Sequence, residues 1–398
     1  MDELHSCLVQ LNLLLLQLLV SRRLTGPRVI RHRRWVHQLT AQRHSKGAFM
    51  ALYQRLRRRP NEFHNYARMT VASFDELLRL LSPFLRRQRT NMRMPVSPAE
   101  RLLLTLRFLA TGESFDSLHY QYRLGKSTIH GIVHDTCRRI WEVLQPTYMP
   151  QLSEQVWKEA AQGFFKKPKF PNCVGAVGGK QVKIRLPPGS RLQNYNYRKF
   201  ISTILMAVVD ADYRFIAVDV GSFDSTADSN AFWSTSIGRR LYAQCLDLPG
   251  PSPIEEGGEP MPHVLVGDEV FGLNTNLMSP FVEKNLNSTK KVFNYRLERA
   301  RRYVECTFGL LANKWRVFHT TLVMTPENAD SLIKAACVLH NFVRQKEGIN
   351  FDDIADDPFT DVACPLVREC NEADTVREKF ANYFVSPAGE LPWQHHHM

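Results

Sequence analysis

Between Glu3 and Glu62 the chain has no acidic residue. Arg22, Arg23, Arg28, Arg31, Arg33, Arg34, Arg43, Lys46, Arg55, Arg57, Arg58 and Arg59 accumulate over the same stretch. With no local carboxylate to neutralise it, such a block favours polyanions through counterion release, and nucleic acid is the leading partner. A solvated arm is the alternative. The runs "RHRRW" and "RLRRRP" also have the composition of nuclear-import signals, a weak pattern by itself. The cysteines, Cys7, Cys137, Cys173, Cys245, Cys306, Cys337, Cys364 and Cys370, show no C-x-x-C spacing, which argues against a zinc ribbon or finger. Several lie inside apolar runs, as free buried thiols do in a reducing compartment. The apolar run Leu8 to Val20 is too short to span a membrane, and the residues before it are acidic, against a signal peptide. It reads as a buried or partner-binding helix, so no membrane partner is expected.

What is present is enough to build cores. The chain has 398 residues, 44% of them hydrophobic, and a formal net charge of +13. Four regions are expected: a basic arm with the apolar helix over 1–60, a helical region over 61–150, an α/β layer over 170–345 and an acidic, loosely ordered tail over 346–398. In the helical region "TVASFDELLRLLSPFL" predicts a helix from Ser73 with Phe74, Leu77, Leu78 and Leu81 on one face. "SPAERLLLTLRFLATG" predicts a helix capped by Ser97, with Pro98 in its first turn, closing at Gly112. A short helix from Phe115 to Tyr122, a turn over Arg123 to Lys126 and a longer helix capped by Ser127 make a helix-turn-helix shape. Thr128, His130 and His134 fall toward the exposed side of its second helix. Arg123, Lys126, Thr128 and His130 are thus candidate DNA contacts. His130 and His134 are four residues apart, but no further metal ligands gather near them.

From about residue 170 the texture changes to strands. "CVGAVGGKQVKIR", Cys173 to Arg185, reads as a buried strand that stops on two glycines and resumes half-exposed. Paired glycines inside a strand usually mean a bulge or a close approach to the backbone. "ISTILMAVVD" and "YRFIAVDVG" complete a three-stranded antiparallel meander with a short hairpin. A helix, a further buried strand in "HVLVGDEVF" and two long helices follow, which makes a mixed-sheet α/β fold. Asp268 sits at the end of that later strand, where open α/β sheets place their chemistry. Glu305 flanks the apolar stripe Leu297, Ala300, Val304, Phe308 and Leu311 of the following helix. Each has an ordinary structural explanation, a turn aspartate and a glutamate paired with Arg301 or Arg302.

Taken together, "RLLLTLRFLATGESFDSL", "NCVGAVGGK", "NYNYRKFISTILMAVVDADYRFIAVDVGS", "VGDEVF", "NYRLERARRYVECTFGLLANKWRVF" and "AACVLHNF" closely resemble the PIF/Harbinger-type DDE transposases and the nuclease-like proteins derived from them. The resemblance runs from roughly Arg33 to Val343. It implies a helical N-terminal region with a helix-turn-helix, followed by a ribonuclease-H-like mixed-sheet DDE domain. It also implies three carboxylates that hold divalent ions, Mg2+ or Mn2+, for phosphodiester cleavage. Two of these fall on Asp268 and Glu305. The third, an Asp in a D-G-K-H-like motif, falls on Gly178, with Gln181 in the histidine's place, so metal is expected to bind weakly. Asp210, Asp219, Asp228 and Glu269 are the acids near enough in sequence to substitute, and Asp219 is the best of them because neighbouring strands of a meander can share a face.

Lys180, the pair Arg198 and Lys199 in "YNYRKF", and Arg301 and Arg302 beside Glu305 are further candidate DNA contacts. Arg296 and Arg299 belong to the same basic run. The resemblance also implies a nuclear location, with the cytoplasm open when no partner is bound, and a Myb/SANT-like protein partner; it leaves self-association open. Three functions compete: a DNA-binding protein with impaired cleavage, an active nuclease using a substitute acid, and a non-catalytic adaptor.

Overall fold

The computed structural model describes residues 10–11, 13–17, 38–89, 94–186, 201–221, 231–282, 285–348, 359–361 and 371–394. The chain divides into two compact units, residues 1–42 and 43–398. In the first, residues 13–17 are helical, as expected of the apolar run, but Leu13 to Leu16 are exposed rather than buried. The arginines from Arg22 to Arg34 lie outside the described residues.

The second unit begins at Arg43, well before the boundary expected near residue 61. Arg43 belongs to this unit through a buried ion pair, donating from Nε and Nη2 to the Glu100 carboxylate at 3.2 and 2.6 Å. Two more arginines of the basic block are neutralised by folding, Arg57 by Asp75 and Arg59 by Glu62. Seven helices follow: α1 (Ala48–Arg57), α2 (Pro60–Ala67), α3 (Val71–Leu85), α4 (Pro98–Thr111), α5 (Phe115–Tyr122), α6 (Lys126–Tyr148) and α7 (Glu154–Lys166).

Local chemistry sets their ends. The Ser97 side chain accepts from the Glu100 N–H, Pro98 occupies the first turn, and Gly112 closes α4 in the left-handed region at φ 67°. Two expected starts shift. α3 begins at Val71 because Thr70, not Ser73, caps it. α6 begins at Lys126 because extended Gly125 already accepts the first helical bond, from Ile129, so Ser127 lies inside the first turn.

The strands β1 (Cys173–Arg185), β2 (Ile201–Val209) and β3 (Phe215–Gly221) form the expected antiparallel meander. After α8 (Ser236–Tyr242), β4 (Val264–Val266) and β5 (Leu277–Met278) extend the sheet in parallel, giving the order β3-β2-β1-β4-β5. Two short strands, β6 (Leu322–Val323) and β7 (Thr360–Asp361), also pair with β1. β1 is one continuous strand rather than two. Its pairing with β2 runs without a break from Ala176 to Ile184, and the irregularity lies earlier, between Cys173 and Gly175 against β4.

Alternation divides the sheet's two faces. Val177, Met206, Val208 and Ile216 join Trp157, Phe232 and α8 in one core. Ala176, Val182, Leu205, Ala207 and Val209 face the long helices α9 (Ser288–Lys314) and α10 (Pro326–Glu347). Asn341 of α10 joins layers: its Oδ1 accepts from the Phe215 N–H at 2.9 Å, and its Nδ2 donates to the carbonyls of Tyr148 and Phe215 at 2.8 Å.

Residues 371–394 of the tail depart from the expected loose order, while most of its acidic cluster, 352–358, lies outside the described residues. Residues Asn371–Phe384 form α11, whose Phe380 and Phe384 are fully buried. Arg296 of α9, 1% exposed, explains the docking: it donates to the carbonyls of Gly389 and Lys169 and to Gln394 Oε1, with its guanidinium 4.4 Å from the Phe384 ring centre. Burial pushes its pKa down to about 10. Arg296 is therefore an anchor for the tail and not a phosphate contact. Arg296→Ala, which strands those acceptors, is expected to lower the unfolding free energy by about 3 kcal/mol in urea titration.

Candidate functional site

The two expected acids that the chain carries, Asp268 and Glu305, meet beside β1. Val264–Val266 pairs with the first half of β1 up to Ala176, and β7 pairs with Lys180 and Gln181. Between them, residues 177–179 have only β2 as a partner strand among the described residues. Asp268 emerges two residues past β4 into this gap, and its side chain accepts from the Glu269 N–H at 2.8 Å. α9 lies across the same place with Val304 and Phe308 turned into the core and Glu305 beside them. Gly178, Lys180, Asp268, Arg301 and Glu305 line a cleft of about 50 Å³.

Arg301 dominates its electrostatics. One guanidinium nitrogen is 3.1 Å from Asp268 Oδ2; the other is 3.0 Å from Glu298 Oε2 and 2.9 Å from Glu305 Oε1. Three carboxylates thus converge on one arginine whose side chain is only 19% exposed. Burial opposes its charge, but Asp268, Glu305 and Glu298 outweigh that and raise the Arg301 pKa. Glu305 moves the other way for an acid: burial raises its pKa, assisted by Glu298 and Asp268 and opposed by Arg301 and Lys180. The pairing of Glu305 with Arg301 was legible from their helical spacing. Neither the contact with Asp268 nor the role of Glu298 was read from the sequence.

At Gly178 the close approach comes from α9. A Cβ built there meets Val304 Cγ2 at 2.8 Å and Phe308 Cε2 at 3.0 Å. Lys180, two residues on along the same face, is buried, with its ammonium 6.0 Å from the Phe308 ring centre. Asp219 is on the other face. It aligns with Met206, which aligns with Gly179, and its carboxylate accepts from the Ser236 N–H at the start of α8, at 2.5 Å. The substitute acid expected there is thus turned away from Asp268 and Glu305. Asp210 is spent within its hairpin turn, accepting from the Asp212 and Arg214 N–H groups and from Arg214 Nε. Glu269 is exposed, and Asp228 lies outside the described residues.

The other candidate contacts are scattered. Thr128 is exposed at the start of α6, and Arg123 ends α5 in the left-handed region at φ 52°. Lys126 pairs with Asp116 across the turn. His130 and His134 are half-buried with Nε2 atoms 3.0 Å apart. Burial, then His130, holds His134 down at about 4, and burial lowers His130 too, so neither offers phosphate a positive charge at neutral pH. Arg301 is committed to carboxylates, while Arg302 is exposed on another side of α9. Arg198 and Lys199 lie outside the described residues. No group of three His, Cys, Asp or Glu residues suited to a metal ion occurs among the described residues. Among them, too, no helix is long and apolar enough to cross a membrane.

Residues 177–341, which span this cleft, match the family described as DDE superfamily endonuclease, and this part of the chain is a DDE superfamily endonuclease domain. Protein ALP1-like of Arabidopsis thaliana is 24% identical over 312 residues, covering 74% of this chain and 73% of the relative. Putative nuclease HARBI1 is 23% identical in Bos taurus over 273 residues and 22% identical in Homo sapiens over 270, each match covering 67% of this chain and 72% of the relative. No solved structure matches the chain.

Two outcomes follow from the geometry. Gly178→Asp forces a side chain against Val304 and Phe308 and is expected to cost about 1–3 kcal/mol of stability, with Gly178→Asp/Val304→Ala recovering much of it in thermal unfolding. Because Glu305's folded pKa is raised, ionising it disfavours folding, and that penalty grows as pH rises from the ordinary carboxylate value through the raised one. The melting temperature of Glu305→Gln relative to the parent is therefore expected to climb as pH rises above the ordinary carboxylate range.

Proposed function

We propose that the chain is a Harbinger-transposase-derived DNA-binding protein whose ribonuclease-H-like DDE domain cleaves poorly or not at all. The observation that carries this reading is Arg301: its guanidinium occupies the position between Asp268 and Glu305 where the resemblance calls for metal. DDE superfamily endonucleases use divalent ions. Two-metal cleavage sets a pair of them about 4 Å apart, bracketing the attacking and leaving oxygens. Magnesium is held by oxygen ligands, carboxylates above all. Two carboxylates already paired with an arginine, opposite a glycine whose side-chain space is filled by Val304 and Phe308, do not fit such a pair. With Asp219 on the opposite face, the active-nuclease reading loses its best substitute acid.

The DNA-binding half rests on the net charge of +13, the basic N-terminal block and the helix-turn-helix reading of α5 and α6, with Thr128 exposed at the start of α6. The chain would act in the nucleus. Duplex DNA is expected to bind with affinity falling steeply with salt, a log–log slope of about −0.9 for each phosphate neutralised. A flat response would favour the adaptor for a Myb/SANT-like protein. Supercoiled plasmid incubated with the full chain and millimolar Mg2+ or Mn2+ should stay un-nicked. Metal-dependent nicking that disappears in Asp268→Ala would overturn the loss of cleavage.

A further inference from the structure

We infer that a second pocket on α9, distinct from the acid centre, binds a phosphate group of a nucleic acid backbone. It has a volume of about 250 Å³ and is lined by Tyr213, Arg299, Arg302, Tyr303 and Cys306. The ligand class rests on the DNA-binding reading above, and the pocket is a more specific claim than that reading.

The charge at this place is what points to an anion. Arg299 and Arg302 are one helical turn apart, and neither has a carboxylate partner among the described residues. That sets them apart from Arg301 between them, which has three. Arg299 instead lies over the Trp393 ring, 4.1 Å from its centre, which fixes the guanidinium without neutralising it. The Tyr213 and Tyr303 rings stack at 4.8 Å and 29° to form a flat wall. A third arginine, Arg344, lies 5.4 Å from the Tyr213 ring centre. The nearby acids are already paired: Asp212 with Lys167 at 2.6 Å, Asp210 with Arg214 at 2.8 Å, and Glu305, whose charge also acts on Cys306, with Arg301 at 2.9 Å. What remains is two arginines without a carboxylate partner beside aromatic surface, and that combination suits polynucleotide backbones. Two guanidinium forks offer bidentate recognition of phosphate oxygens.

Cys306 makes the pocket directly readable, because its half-buried thiol lines the wall one turn beyond Arg302. The full chain would be labelled with a maleimide, and modification at Cys306 followed by site-resolved mass spectrometry. The labelling would be done alone, with a short single-stranded oligonucleotide, and with a 5′-mononucleotide. The inference expects the oligonucleotide to slow Cys306 labelling at least about threefold while leaving exposed Cys245 unaffected. Arg299→Gln/Arg302→Gln should weaken oligonucleotide binding about tenfold and reduce the magnitude of its salt slope by one to two.

Protection by the mononucleotide at similar phosphate concentration would support the site but assign it to free phosphate monoesters instead of a backbone. Oligonucleotide binding with unchanged Cys306 labelling, or an unchanged affinity and slope in the double variant, would overturn the pocket and leave the DNA-binding reading standing. Absence of any oligonucleotide or duplex binding at low salt would instead overturn that reading.

Discussion

The architecture depends on how closely α9 can lie against β1. At Gly178 the strand has no side chain, and Val304 and Phe308 fill the space where one would stand. That contact continues the core shared by β1, β2, α9 and α10 up to the edge of the cleft. It also sets the height of Glu305 above the sheet and the position of Arg301 one turn earlier. Close-packed interiors tolerate little change in volume. An acid restored at this position therefore meets the helix before it meets a metal.

The acid centre shows what folding does to a cluster of like charges. Asp268 comes from the end of β4, and Glu298 and Glu305 come from α9. Such carboxylates would repel one another without a cation between them. Here the cation is covalently part of the chain, and its pKa is raised because the three acids outweigh the cost of burying it. The three acid side chains are 40–47% exposed, so solvent screens these pairs, and burying the arginine offsets part of the attraction. Glu305 bears that out, its carboxyl pushed upward by burial even with Arg301 at 2.9 Å. One arginine shared by three acids leaves the centre with excess negative charge, and Glu298 and Asp268 still push the Glu305 carboxyl upward. A site kept for divalent ions would need these oxygens unclaimed.

Along α9 four arginines of one run have four different fates. Arg296 is buried and holds the C-terminal tail, Arg301 holds the acids, Arg299 lies over Trp393, and Arg302 reaches solvent. Read as "RLERARR", they form one basic stretch facing phosphate. A helix distributes successive residues about 100° apart, so a single run of charge meets several environments. The basic block near the N-terminus behaves similarly, since Arg43, Arg57 and Arg59 are consumed by Glu100, Asp75 and Glu62.

The strands and helices of the body were legible because their signals are local. Ser97, Pro98 and Gly112 mark the ends of α4, alternation marks β1 to β3, and the apolar stripe marks α9. The acids at Asp268 and Glu305 were legible through their place at the end of a strand and on the flank of that stripe. The side of the sheet on which Asp219 stands was not, because cross-strand register decides it, and register is set by the pairing of whole strands. The order of the C-terminal segment was not legible either. Its acidic composition suggested solvent, while Phe380 and Phe384 found their partners in α9 and at Phe170, far away in sequence. The sequence, through its resemblance, put two carboxylates and a glycine where three acids are expected. Only the tertiary structure decided that a neighbouring arginine reaches both carboxylates and that the helix fills the glycine's space, because each depends on the distance between α9 and the sheet, which no local signal encodes.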